Sequence, residues 1–315
     1  KMEVITGYRN IRKPFTSPVL ALGNFDGVHL GHRKILLSIR DRSQELKGTS
    51  VVYTFHPHPL SVLTEGKQPL TITTIGEKLA LIEECGIDVV ICEPFTIDYA
   101  QISADQFAEE ILHQTIGAKE IFVGDDYRFG SKRQGDIHYL RKLGGRLGFR
   151  VKTVEPVMSD GTIVKSSNIR QLIQMGDVAT ANRLLGREYH ITGPVIRGKG
   201  RGAGLGFPTA NIKPNKNLHP PEGVYAVWVH YQGQQFMGAM NIGTNPTFKE
   251  KQVSFEVYVM NFSKQIYDEH LRISFVDRVR PEKTFSSVDS LIAQMNSDVA
   301  EVRRILSEQN SSYSS

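Results

Sequence analysis

Val19-Leu-Ala-Leu-Gly-Asn-Phe-Asp-Gly-Val-His-Leu-Gly-His32 is the stretch from which the fold is read. Val19 to Leu22 is an apolar run without polar interruption, as a strand buried on both faces requires. A glycine-punctuated turn follows from Gly23 to Gly31. Arg33 to Leu46 then carries Ile35, Leu36, Ile39 and Leu46 at the spacing of a helix with one buried side, stopped at Gly48. His29 and His32 therefore fall in a strand-to-helix turn, where backbone N–H groups point outward and attract anions. Both imidazoles can donate hydrogen bonds to phosphate oxygens. Gly23 and Gly27 permit positive φ or close backbone approach, and Gly31 leaves room beside a ligand. Gly23, Asn24, Phe25, Asp26 and Gly31 are the positions of this phosphate-handling turn. Two plainer readings compete: an ordinary βα turn with solvent-facing histidines, or a metal pair at i, i+3. For the metal pair, Asp26 is the sole nearby acid.

Outward from this unit, Ser50–Phe55, Ile87–Cys92, Glu120–Val123 and Arg150–Val154 read as further strands. Helices lie between them at Thr74–Glu84, at a run opened by the capping box Ser103-x-x-Gln106, and at His138–Leu147 ended by Gly148. Five strands alternating with helices predict an α/β, Rossmann-like domain with a parallel sheet and right-handed crossovers. A short helix over Asp177–Leu185 and then Gly186-Arg187 mark the boundary, giving domains 1–186 and 187–315.

Beyond it the pattern changes. Tyr189–Ile196, Tyr225–Tyr231, Gln235–Asn241, Ser254–Met260 and Leu271–Val279 are β-rich and joined by turns, which predicts an antiparallel β-barrel or sandwich. Val288, Leu291, Ile292, Met295, Val299, Val302 and Leu306 form the apolar stripe of a terminal helix packed on it. Asn310 to Ser315 are expected to be disordered.

The 315 residues are 40% hydrophobic and 23% charged, with a formal charge of +5, an ordinary globular composition. That mild excess suits anionic small molecules such as nucleotides. Without a dense Lys/Arg run interleaved with aromatics, it gives no reason to expect nucleic acid. Cys85 and Cys92 lack zinc spacing and are too few for a disulfide framework, so they read as buried thiols in a reducing compartment. No apolar stretch approaches a membrane span of about 18 residues, and the start lacks a signal-peptide shape. A cytoplasmic protein without membrane partners is expected.

Several other segments carry chemistry. His56-Pro57-His58-Pro59 leaves a strand end in a stiff, extended form, which reads equally as a ligand-facing element or a rigid surface loop. Gly124-Asp-Asp-Tyr-Arg-Phe-Gly130 stands at the carboxyl end of a strand, where open α/β sheets bind ligands. Its Asp126, Tyr127, Arg128 and Phe129 suit a planar heterocycle with polar edges, against the alternative of a loop with a surface ion pair. Lys165, Ser166, Ser167 and Arg170 offer charge and hydroxyls for a triphosphate, or simply a helix cap. Arg197-Gly-Lys-Gly-Arg-Gly-Ala-Gly-Leu-Gly206 is a basic, glycine-rich loop able to fold over phosphates, or a linker. Thr209 and Asn211 supply the hard oxygens that Mg²⁺ accepts alongside ATP phosphates. Glu256, between Phe255 and Val257 on a strand, can act as a base toward a hydroxyl or sit as a solvated surface group.

The string G-x-F-D-G-x-H-x-G-H resembles the H-x-G-H signature of nucleotidylyltransferases, in the form found in bacterial bifunctional riboflavin kinase/FAD synthetases. Thr54 to Pro59, Gly124 to Gly135 with Arg133, and the segment ending at Arg170 resemble further motifs of the synthetase half. Gly204 to Ile212, Pro221 to Ala226, Asn241 to Phe248, Glu256-Val-Tyr258 and Arg280 to Phe285 resemble the riboflavin kinase half. Together these cover nearly the whole chain. The resemblance implies ATP-dependent phosphorylation of riboflavin to FMN, then adenylylation of FMN to FAD with release of pyrophosphate. It implies Mg²⁺ with ATP and flavin as substrate and product, and leaves room for weak self-association. His29, His32, Arg170 and Glu256 would be catalytic. Ser166, Ser167, Gly198, Gly200, Gly202, Gly206 and Pro208 would join the turn in holding nucleotide. His58, Pro59, Asp126, Tyr127, Arg128, Phe129 and Arg280 would hold flavin, and Thr209 and Asn211 the metal. Ala203 stands where the family has Arg or Lys, and Tyr258 replaces a histidine. These departures keep open an adenylylation-only enzyme with a weakened kinase module. Adenylylation of another phosphate ester and a non-catalytic flavin sensor are the remaining alternatives.

Overall fold

The computed structural model describes residues 1–64, 70–198, 204, 206–246 and 251–312. The chain divides into two compact units, Lys1–Ser166 and Ser167–Ser315.

The first unit is built on strands β1 (Glu3–Thr6), β2 (Val19–Leu22), β3 (Ser50–Phe55), β4 (Val89–Glu93), β5 (Glu120–Gly124) and β6 (Arg150–Val154). They form one all-parallel sheet in the order β1-β4-β3-β2-β5-β6. Every residue of β2 is buried, which is why it reads as an unbroken apolar run. Alternate side chains feed two cores. Leu20, Leu22, Val51, Tyr53, Ile91, Ile121 and Val123 pack on one face, and Val19, Ala21, Val52, Val90, Cys92 and Phe122 on the other. Helices α1 (Leu30–Glu45), α2 (Pro59–Leu63) and α3 (Ile75–Glu84) follow in the chain, and α1 and α3 cover the second face through Ile35, Leu36, Ile39, Leu81 and Ile82. The first face is covered by α4 (Ala104–Gln106), a π-helical stretch Phe107–Ile116, and α5 (Ile137–Leu147). Burying one such Leu or Ile contributes roughly 1.5–3 kcal/mol.

Chain order within the sheet reverses at β2. From β2 the chain moves to β3 and β4 on one side, then returns to β5 and β6 on the other. The crevice outside the carboxyl ends of β2 and β5 is the switch point at which such sheets bind ligands. The His29 turn leaves β2 and the Gly124–Gly130 loop leaves β5, so both candidate loops border it.

Beyond β6 a small hairpin, β7 (Met158–Ser159) with β8 (Thr162–Ile163), precedes α6 (Ser166–Met175) and α7 (Val178–Leu185). The second unit, from Ser167, is a closed antiparallel barrel. Its strands are β9 (His190–Ile196), β10 (Thr209–Ile212), β11 (Gly223–Tyr231), β12 (Gln234–Pro246), β13 (Lys251–Val259) and β14 (His270–Pro281), in the order β10-β13-β12-β11-β14-β9, with β9 also pairing β10. The terminal helix α8 (Val288–Ser312) lays Val302 and Leu306 on Ala226, Trp228, Met260 and Val276. Expected disorder at Asn310–Ser315 is corrected for 310–312, which continue α8; the remaining three residues lie outside the described chain. Two strands unforeseen from the sequence, β1 and β10, complete the sheet and the barrel.

Candidate functional site

In the first unit, His29 is the N-cap of α1, and its Nδ1 accepts the His32 backbone N–H at 3.2 Å. That bond leaves Nε2–H as the donor of a neutral His29 ring. The two imidazoles stack with centroids 3.6 Å apart and 16° between planes. Phe25 sets its ring edgewise to His32 at 5.2 Å. Gly31 packs closely here: a Cβ would lie 3.1 Å from His29 Cε1 and 3.4 Å from the Val164 carbonyl, so the His29 ring would have to give by a few tenths of an ångström. Its clearance serves the imidazole of His29 as well as any ligand.

The turn preceding these rings is bolted down. Phe25 and Val28 hold left-handed φ of 50° and 38°, which costs on the order of 1–3 kcal/mol for a non-glycine residue. Asp26 is buried, and its carboxylate accepts the backbone N–H groups of Ile72 and Thr73 at 2.9 and 3.2 Å. Gly27 N–H in turn donates to Thr73 Oγ1. Sequence reading missed two partners of this turn. One is the Ile72-Thr73 strap. The other is Lys78 on α3, whose buried ammonium donates to the Asn24 carbonyl, Thr54 Oγ1 and the Phe55 carbonyl at 3.0–3.2 Å. Burial lowers its pKa below the ordinary lysine value. A capping box, Thr74 with Glu77, marks where α3 starts and was the one signal near Lys78 in the sequence. Ser166 joins the cluster, its hydroxyl donating to the Asp26 carbonyl at 2.8 Å. The structure thus brings Gly23, Asn24, Phe25, Asp26, His29, Gly31, His32 and Ser166 together. Ser167 and Arg170 follow on α6 and are counted with the second unit.

The loop after β5 is arranged around its aromatics. Tyr127 and Phe129 stack at 5.9 Å, and Phe129 is buried against Phe107. Gly135 has to be glycine, since a Cβ would come within 2.6 Å of the Phe129 ring. Asp126 pairs with Lys165 at 3.1 Å and Arg128 faces Asp136 at 3.7 Å. A cleft of about 410 Å³ lies between this loop and α5, lined among others by Asp126, Tyr127, Arg128, Arg133 and Arg141. His58 caps the five-residue α2 through Nδ1, with Pro59 as the first helical residue. Cys85 and Cys92 are both buried and free, and burial raises both thiol pKa values.

In the barrel, β13 lies between β10 and β12. Glu256 stands directly across from Asn211 on one side and Asn241 on the other, and Tyr258 across from Thr209. Cross-strand partners share a sheet face. Thr209, Asn211, Asn241, Glu256 and Tyr258 therefore line one face of the barrel wall. Tyr258 also belongs to the packing beneath α8, and Phe207 meets its ring edge-on at 5.4 Å. Gly198 opens the glycine-rich loop against the site, because a Cβ there would overlap the Asn211 amide. Gly206 holds a φ of +85° ahead of Phe207 and Pro208. Gly200, Gly202 and Ala203 lie outside the described residues. Arg280 donates from Nε and Nη2 to the Asp298 carboxylate of α8 at 2.9–3.1 Å.

Among the described residues no group of three His, Cys, Asp or Glu could hold a metal ion by itself. A hydroxyl and an amide oxygen two residues apart on β10, beside a carboxylate, instead suit Mg²⁺ that keeps phosphate oxygens and water in its shell. The donor set fits Mg²⁺ arriving with a nucleotide.

Known proteins carry the same two halves. Residues 12–168 match the FAD synthetase family model and residues 185–306 the riboflavin kinase model. The chain is 35% identical to the bifunctional riboflavin kinase/FMN adenylyltransferase of Escherichia coli K12 over 94% of its own length and 96% of the relative's. It is also 35% identical to the enzymes of the same name from Buchnera aphidicola of Schizaphis graminum and from Pseudomonas fluorescens, each over 96% of this chain and 98% of the relative. A crystal structure described as a macrolide-efflux protein from Streptococcus pneumoniae superposes with a TM-score of 0.87 at 30% identity, covering 96% of this chain and 99% of that one. Among the described residues no helix is long and apolar enough to cross a membrane. The chain belongs to the family of bacterial bifunctional riboflavin kinase/FMN adenylyltransferases.

Proposed function

We infer that this chain phosphorylates riboflavin to FMN with ATP and then adenylylates FMN to FAD. The observation that carries the reading is a full-length match to both activities, joined to two polar constellations. The histidine turn stands at the switch point of the sheet, and the Thr209-Asn211-Glu256 face lies on the barrel. The comparisons do not favour an enzyme with adenylylation alone.

In the kinase step, Glu256 accepts the proton of the riboflavin 5′-hydroxyl as that oxygen attacks the γ-phosphorus, and ADP leaves. Thr209 and Asn211 would hold Mg²⁺, which when bound would supply neutralisation of charge on the ATP phosphates. In the adenylylation step, an FMN phosphate oxygen attacks the α-phosphorus of a second ATP and pyrophosphate leaves. Attacker and target are both anions, so donors must offset their repulsion. The N-terminus of α1 supplies only about 0.3–1 kcal/mol, leaving His29, His32, Ser166, Ser167 and Arg170 as the main donors. Asp126, Tyr127, Arg128 and Phe129 on the loop, with His58 and Pro59, form the flavin side of this site, and Arg280 that of the kinase site. The glycine-rich loop from Gly198 through Gly206 to Pro208 covers nucleotide in the kinase module. The functional division is proposed at 186/187, which the family matches, ending at 168 and starting at 185, leave room for. The two buried thiols are in keeping with a cytoplasmic setting. The deciding experiment is product analysis after incubation with riboflavin, ATP and Mg²⁺. FMN, FAD, ADP and pyrophosphate are expected, and absence of FAD when FMN is supplied directly would overturn the reading.

A further inference from the structure

Lys78 contributes nothing to the sheet's hydrophobic face, yet it is buried to 8% exposure. A buried ammonium is costly unless its donors are satisfied. Here three acceptors converge on it: the Asn24 carbonyl, Thr54 Oγ1 and the Phe55 carbonyl. Thr54 Oγ1 itself donates to the Asn24 carbonyl at 3.0 Å, closing a ring of contacts around one peptide group. Two residues further on, the Asp26 carboxylate fastens the turn to Ile72 and Thr73, just before α3 begins. Phe25 is therefore held from both sides, by Lys78 through Asn24 and by Asp26, in the left-handed conformation that sends its ring against His32. His32 stacks on His29, which caps α1. α3 is thus linked to both imidazoles through this turn.

We propose that Lys78 is a positioning residue for adenylylation, fixing the Asn24–Phe25 peptide so that the stacked His29–His32 pair meets the phosphates in a productive geometry. The proposal rests on the adenylylation reading above and deepens it. Lys78 touches no reacting atom; it acts through Asn24 and Phe25.

The bifunctional chain supplies its own control. Wild-type protein is first assayed for FMN-to-FAD conversion, and failure there would overturn the functional reading rather than the role of Lys78. Lys78→Met keeps the aliphatic stem and removes the donors. Its kcat for FMN adenylylation is expected to fall by about 10–100-fold, with KM for ATP within about threefold, since the phosphate-binding N–H groups of α1 remain. Riboflavin phosphorylation by the same sample is expected to stay within about twofold. An unchanged adenylylation kcat, or a loss confined to KM, would overturn the proposal. Should Lys78→Met lose both activities together, Thr54→Val decides. It removes the hydroxyl shared by Lys78 and Asn24 at constant shape, and an adenylylation kcat down by about 3–10-fold is expected. A wild-type kcat in Thr54→Val would refute the role of this contact ring. Imidazole NMR gives a readout that loss of stability alone would not produce: the ring resonances of His29 and His32 should shift in folded Lys78→Met, and unmoved resonances would count against it.

Discussion

Arg280 and Asp298 form a two-pronged ion pair that joins β14 to α8, with guanidinium Nε and Nη2 both donating to one buried carboxylate. Removing one partner strands the other charge, a change that typically costs about 3–5 kcal/mol. Asp298→Ala should therefore weaken the seating of α8. Trp228, the only tryptophan, packs under that helix and donates from Nε1 to Gln309. Its fluorescence in a urea titration is the direct measurement, with a lower midpoint expected.

His32→Ala removes one ring of the stacked pair and should lower FAD formation by at least about 10²-fold, leaving FMN formation from riboflavin intact. His29→Ala should do the same and also lose the α1 cap, at about 1 kcal/mol. Separate assays of the two steps, with thermal melts alongside, test both.

Asn211→Ala and Glu256→Gln should each stop riboflavin phosphorylation, by about 10²-fold or more, and spare adenylylation of supplied FMN. They differ in one respect. If Asn211 is a metal donor and Glu256 the base, as proposed, added Mg²⁺ should partly restore Asn211→Ala and should do nothing for Glu256→Gln. A Mg²⁺ titration of the kinase rate separates them.

Glu120 is buried at the start of β5 between Arg42 and Lys152, and the Arg42 hydrogen bonds hold its pKa down at about 2, against an ordinary 4.5. A depressed folded-state pKa gives stability that is complete above the unfolded value and lost as pH falls toward the folded one. Stability on the order of 2–3 kcal/mol should disappear between about pH 5 and pH 2. Urea denaturation across that range should show the slope, and Glu120→Gln should flatten it.

Much of this architecture was legible because burial is periodic. β2 is buried at all four positions, and the α5 stop at Gly148 and the α7 stop at Gly186 both use left-handed glycines. What stayed hidden lacked such periodicity. β1 is a mostly exposed edge strand, Glu3–Thr6, paired on one side only, so no apolar alternation marks it. β10 is four residues long and reads as a motif rather than a strand. The histidine turn was evident, but Lys78 was not, since nothing local to α3 tells a buried lysine from a solvated one. Asp26 and Arg280 were legible as candidate ligand contacts, but the bonds their charged groups make, to the Ile72-Thr73 backbone and to Asp298, were not.

Gly198 has a practical corollary for anyone redesigning the kinase module. Because any side chain at 198 must displace the Asn211 amide, even an alanine there should phenocopy the loss of Asn211, although the loop itself carries no metal donor at that position. Libraries aimed at nucleotide or cation preference should leave that glycine fixed and diversify its neighbours.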